Sequence, residues 1–209
     1  MKTDWKKTDK ALYLPGTEPM AIRVPPMNFY SIRGRGNPND SGFQDYVAVL
    51  YSLAYAVRMS YKNPDPPPGY FEYTVYPLEG VWDISDEAKA RVSSTLDKDT
   101  LVFQLMIRQP DFVDPVFAAH IKDQVKRKKP HDLFDKVEFI TIDEGPCVQM
   151  MHLGSYDTEP ASFTEMETFC TAMSLHRTSK LHREIYISDP RKVEVASMRT
   201  VLRFQTEQA

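Results

Sequence analysis

PMNFYSIRGRGNPNDSGFQDYVAVLYSL (26–53) and PCVQMMHLGSYDTEPASFTEMETFCTAM (146–173) decide the fold between them. They align without a gap at a constant offset of 120, with Pro26 on Pro146, Gly34 on Gly154, Phe43 on Phe163 and Leu53 on Met173. Each reads as an extended stretch, a glycine-containing turn and then a helix. Phe43, Tyr46, Val47, Leu50, Ala54 and Val57 recur at helical intervals, as do Phe163, Met166, Cys170 and Met173. Asp40 or Ser41 can cap the first helix, and Thr158 or Glu159 stands before Pro160, which suits a first helical turn.

Extended, alternating sequence follows each helix. FEYTVY (71–76) and LVFQLMI (101–107) come after the first, REIYIS (183–188) and MRTVLRF (198–204) after the second. The predicted pattern is strand–helix–strand–strand, twice. A connecting helix is predicted over about 111–129, with Pro115 in its first turn and KRKKP (126–130) at its basic C-terminal end. The fold class is therefore α+β: two modules, about 20–110 and 134–207, in one domain over 19–209 behind an N-terminal extension, 1–18. Matching topologies suggest a pseudo-two-fold arrangement with a central ligand pocket at the seam.

Composition narrows the function. The 209 residues include 26 Lys+Arg and 29 Asp+Glu, a formal net charge of −3, which disfavours a protein built to neutralise a phosphate backbone. No helix-turn-helix fits ahead of the first strand, so no direct nucleic-acid contact is expected. No leader-like segment and no run of membrane-spanning length is visible, so the expected location is cytoplasmic. Cys147 and Cys170 are expected to be reduced and buried. Gly34-Arg35-Gly36 lacks the third glycine of a dinucleotide loop. The five histidines do not pair with Cys or His at metal-ligand spacing, so neither metal nor cofactor is expected.

PLEGVW (77–82), LMIRQPDFV (105–113), KKPHDLFDKVEFITIDEG (128–145), CVQMMHLGSYDTEPASF (147–163), HREIYISDPRK (182–192) and RTVLRF (199–204) together resemble the GyrI-like small-molecule-binding family, over about residues 19–206. Its stand-alone branch is the nearest match. The resemblance implies a duplicated strand–helix–strand–strand fold with a ligand cavity, found also in effector domains of multidrug-sensing regulators and in a gyrase-inhibitory protein. It further implies, for some stand-alone members, hydrolysis of the cyclopropane of genotoxic spirocyclopropyl-cyclohexadienones. The family's pocket glutamate falls on Glu184, which makes Glu184 the expected catalytic base. Arg183 stands where a second His is common, and a single Trp82 is followed by Asp83; both bear on ligand range.

The residues give their own, looser reading. In an extended run His182, Glu184, Tyr186 and Ser188 share one face, and Arg183, Ile185 and Ile187 the other. If the Ile face packs on the helices, Glu184 and Tyr186 point into the seam. Tyr73, Tyr76 and Trp82 of the first module, with His152, Tyr156 and Tyr186 of the second, are the expected substrate-binding residues; the face of 71–76 stays open by one residue of register. Core packing competes for the aromatic residues, and a satisfied structural role for His152. The expected partner is a small hydrophobic aromatic ligand. Two functions remain: a detoxifying hydrolase, favoured because no output module is visible, or a non-catalytic module that binds or sequesters planar hydrophobic or cationic drugs. A gyrase-directed role rests on the resemblance alone.

Overall fold

A computed structural model describes residues 2–63, 66–84 and 98–209. The chain divides into two compact units, Met1–Thr3 with Met27–Ile142, and Asp4–Pro26 with Asp143–Ala209. Neither cysteine is in a disulfide, and burial raises both thiols, Cys147 to about 12. Among the described residues no helix is long and apolar enough to cross a membrane.

In the first unit, β2 (Met27–Arg35), β3 (Leu78–Ile84), β4 (Leu101–Gln109) and β5 (Val137–Ile142) form an antiparallel sheet in the order β5-β2-β4-β3. Helix α3 (Phe43–Arg58) follows β2, as the periodicity predicts, and buries Val49, Leu50, Leu53, Ala54 and Val57. Its N-cap is Gly42, with no side-chain cap from Asp40 or Ser41. Helix α4 (Pro115–Lys128) starts later than expected because the Asp114 carboxylate accepts from the Phe117 N–H at 2.7 Å, with Pro115 in the first turn. Its basic end is solvated, with Lys126 paired to Asp135.

One strand expectation is corrected. FEYTVY is not a strand; the strand is Leu78–Ile84, next along the chain. Residues 71–76 make only an isolated bridge, Thr3 to Tyr73, with Thr3 N–H donating to Glu72 O and Thr74 N–H to Thr3 O. The Arg58 guanidinium donates to Tyr73 O at 2.9 Å, and Pro77, with no N–H to give, ends the stretch. Aromatic alternation there builds a ring cluster instead of a ladder.

Gly34 marks the closest packing in this unit. A Cβ at Gly34 would lie 2.4 Å from Phe103 Cε2 and 2.8 Å from Tyr46 Cε1. Phe103 is wedged among Phe43, Tyr46 and Trp82 and has no room to withdraw. Gly34→Ala is expected to lower stability by about 1–3 kcal/mol, the usual scale of overpacking. Urea unfolding checks it, and an unchanged midpoint would refute the packing argument.

In the second unit β1 (Met20–Val24), β6 (Gly145–Leu153), β9 (Arg199–Gln208) and β8 (His182–Tyr186) are antiparallel neighbours in that order; the short β7 (Leu175–Arg177) pairs with the far end of β9. Helix α5 (Glu159–Ala172) packs Met166 and Cys170 onto Val148, Met150, Leu202 and Phe204. Met173, expected on that stripe, caps the helix and is exposed. Two four-residue helices, α1 (Trp5–Thr8) and α2 (Lys10–Tyr13), occupy the segment that reads as an extension, and both Trp5 and Tyr13 are buried.

Candidate active site

Directly opposed residues in a sheet share a face, so the second unit's ladder sorts its side chains. Val148, Met150 and His152 of β6 stand opposite Phe204, Leu202 and Thr200 of β9. Glu184 and Tyr186 of β8 continue the Leu202 and Thr200 rows. This face takes α5. Cys170, Met166, Phe163 and Glu159 recur at helical spacing, and the helix side also turns from apolar to polar toward its N-terminus. The apolar end forms a dry core, and the polar end gathers Glu159, Ser162, His152, Glu184 and Tyr186.

The conditional expectation about faces is thereby corrected. The Ile185 face does not receive the α5 stripe; Glu184 does, because its row partners Leu202 and Met150 are core residues under that helix. The opposite face carries Arg183, Arg203 and Gln149 in one row. Glu144 pairs there with Arg183 Nε at 2.9 Å and Arg203 Nη1 at 3.2 Å. Arg203 also donates to Gln149 Oε1 and to Leu12 O, and Gln149 Nε2 to Ala11 O.

Glu184 is 8% exposed and held at both oxygens. His182 Nε2 lies 3.1 Å from Oε1, and the Tyr186 hydroxyl donates to Oε2 at 2.9 Å. The His182 ring is itself fixed edge-on against Phe163, with centroids 4.7 Å apart. Tyr156 is at right angles to Tyr186, centroids 6.1 Å apart. Its hydroxyl is pushed up to about 12 by burial and then by the charges of Glu184, Glu159 and Asp189. His152 Nε2 contacts Ser155 O and Thr158 Oγ1 and so braces the turn that carries Tyr156, while Nδ1 meets Ser162 Oγ on α5. Gly154, at φ 111°, makes that turn, and its N–H donates to Met198 O.

The remaining expected residues belong to the first unit. Tyr73 is 2% exposed, donates to Ala54 O and packs on Phe71, Tyr76 and Phe112. Tyr76 lies under the Arg108 guanidinium, and Trp82 stacks on Phe43 and packs on Phe103.

Glu159 and His182 are what sequence reasoning left out of the site. Glu159 reads as a helix-start acid beside Pro160, yet it is 7% exposed and its Oε1 has no hydrogen-bond partner among the described residues. The available signal was its place on the Phe163–Met166–Cys170 stripe. A helix N-terminus favours a carboxylate by only about 0.3–1 kcal/mol. Desolvation outweighs that: burial, and next the Glu184 and Asp157 charges, raise the Glu159 carboxyl far above the carboxylate range. One donor atom each from Glu159, His182 and Glu184 lie within 4.8 Å of one another, a spacing open to a metal ion.

A raised acid pKa stabilises the fold fully below the unfolded-state value, about 4.3 for glutamate, and that contribution is lost as pH rises through the folded-state value. Glu159→Gln removes the titration. In chelator-containing buffer, the variant is expected to gain stability on the parent between pH 5 and pH 8 by urea midpoint. A pH-independent offset would show that Glu159 is charged in the folded state.

The chain matches the GyrI-like small molecule binding domain over residues 17–205. It belongs to the GyrI-like family. A hydrolase from Listeria innocua is 34% identical, with a TM-score of 0.86 over 98% of this chain and all (100%) of its own. A further hydrolase structure from the same organism is 35% identical, with a TM-score of 0.89 over 99% and 100%. The C-terminal domain of EcmrR, at 16% identity and a TM-score of 0.52 over 92% and 98%, shares the GyrI-like fold. No curated protein matches the sequence. As a GyrI-like domain the chain is a small-molecule binder.

Proposed function

We propose that this GyrI-like protein is a hydrolase that opens the strained cyclopropane of spirocyclopropyl-cyclohexadienones, and so detoxifies DNA-alkylating compounds. The carrying observation is a nine-tenths-buried carboxylate, Glu184, with its two oxygens aimed by His182 and Tyr186. The hydrolases of Listeria innocua, similar over nearly the whole chain, support the reaction class.

Water oxygen bonds to the exposed cyclopropane carbon while the bond from that carbon to the spiro centre breaks. The released pair enters the ring, which becomes an aromatic phenolate, and the water proton passes to Glu184. Protonation of the phenolate completes a net addition of one water. A fixed carboxylate supplies general-base catalysis, and a donor near the dienone oxygen stabilises the developing charge. The Tyr186 hydroxyl is given to Glu184, so Tyr156 beside it is the donor for the dienone oxygen, and the two rings offer edges and faces to a flat ligand.

The rival reading is a non-catalytic binder of planar cations, for which a buried carboxylate beside tyrosine rings is also suited. Mass spectrometry separates them. With dienone in large excess over protein, the hydrolase converts most of the ligand to a product one water heavier. Return of the ligand intact establishes binding or sequestration and ends the hydrolase reading.

A further inference from the structure

We propose that Glu159, His182 and Glu184 bind a divalent transition-metal ion, with zinc the best-suited. His182 and Glu184 are two apart on β8 and project from one face, and Glu159 meets them from the first turn of α5. One donor atom from each lies within 4.8 Å of the other two. His182 Nε2 and Glu184 Oε1 are already 3.1 Å apart. Two ligands at about 2.0–2.1 Å on a tetrahedral ion stand roughly 3.3 Å apart, so this pair needs almost no movement.

The second, independent observation is Glu159 Oε1. It is an acceptor on a side chain more than nine-tenths buried, and among the described residues nothing donates to it. Buried acceptors without a donor are rare, and each calls for an explanation. A cation supplies it, and its two positive charges offset the two acidic side chains packed beside the imidazole. One nitrogen with two oxygens favours zinc-class ions over calcium or magnesium, which take all-oxygen shells. The support around the ligands is also present: the Tyr186 hydroxyl holds the far oxygen of Glu184, and Phe163 fixes the imidazole plane. Three protein ligands leave a fourth position for water or for a ligand heteroatom. Spacing rules built on Cys and His pairs pass over this set, because its third member is 23 residues before His182 in the chain.

The inference goes beyond the hydrolase reading and does not rest on it, since its test reads metal and not turnover. Protein stripped with chelator is titrated with zinc chloride at pH 7.5 against a chromophoric competitor. One ion per chain with micromolar or tighter affinity is expected, weakened at least about tenfold in Glu159→Gln and in His182→Ala and unchanged in His131→Ala and His176→Ala. Absence of one-to-one binding, or affinity equal in all four variants, overturns the site. X-ray absorption of the zinc-loaded parent protein gives a readout independent of variant folding. A shell of one imidazole with oxygen ligands supports the site, and sulfur ligation or two or more imidazoles overturns it.

Discussion

Glu184→Gln is expected to cut turnover of a spirocyclopropyl-cyclohexadienone by about 10²–10⁴-fold, the usual range for loss of a general base. The substitution keeps the side chain's size and its Oε1 acceptor and removes the charge that takes the proton. Tyr186 and His182, which now meet the two carboxylate oxygens, would face an amide with one oxygen and one NH2. Ligand affinity is therefore expected to change far less than the rate, and KM and kcat should separate. Single-turnover assays at several ligand concentrations make the measurement. Equal rates for parent and variant would remove Glu184 from the chemistry, whatever else the site binds.

The largest effect on stability is expected from Glu144→Gln, at about 3–5 kcal/mol. Glu144, its side chain 9% exposed, meets two guanidiniums that are themselves 1% and 3% exposed. Burying charges is costly, and the pairing offsets the cost only while both signs are present. Exchange for an uncharged amide of the same shape leaves Arg183 and Arg203 in place and lifts the neutralising charge. Arg203 keeps Gln149 Oε1 and Leu12 O as acceptors, but these are dipoles and not counter-charges. Replacing all three residues together by apolar side chains should cost much less, which sets the pair apart from an ordinary packing defect. Denaturant unfolding tests this; a loss below about 1 kcal/mol for Glu144→Gln would show that the arginines are solvated.

Both helices that follow the glycine turns were legible in the sequence because their apolar stripes hold the helical period. The strands β4, β8 and β9 were legible from alternation and β-branched content. Residues 71–76 show where alternation misleads: its pattern is that of a strand, but one residue, Thr3, and one guanidinium, Arg58, satisfy its backbone. The two aligned glycines, Gly34 and Gly154, stand in matching places for different reasons, one to admit Phe103 and the other to reach positive φ. The face of β8 was not legible. RTVLRF places apolar residues on both sides of β9, so only the pairing of Glu184 with Leu202 decides which side the glutamate takes. Glu159 was hidden for a related reason, since an acid at a helix start nearly always marks solvent.

The Arg203–Leu12 hydrogen bond joins positions 191 residues apart, and Gln149–Ala11 spans 138. The first unit, apart from Met1–Thr3, is one run of chain, whereas the second joins Asp4–Pro26 to Asp143–Ala209. Helices of four residues have no stability of their own in water. During synthesis, residues 4–26 therefore wait as open chain until β6 emerges to pair with β1, and Leu12 has no Arg203 to meet until β9 follows. The unit that carries Glu184 is the last to close, and long-range closure of this kind is slow. A ribosome stalled before residue 203 leaves a nascent chain whose first unit can fold and whose candidate active site cannot.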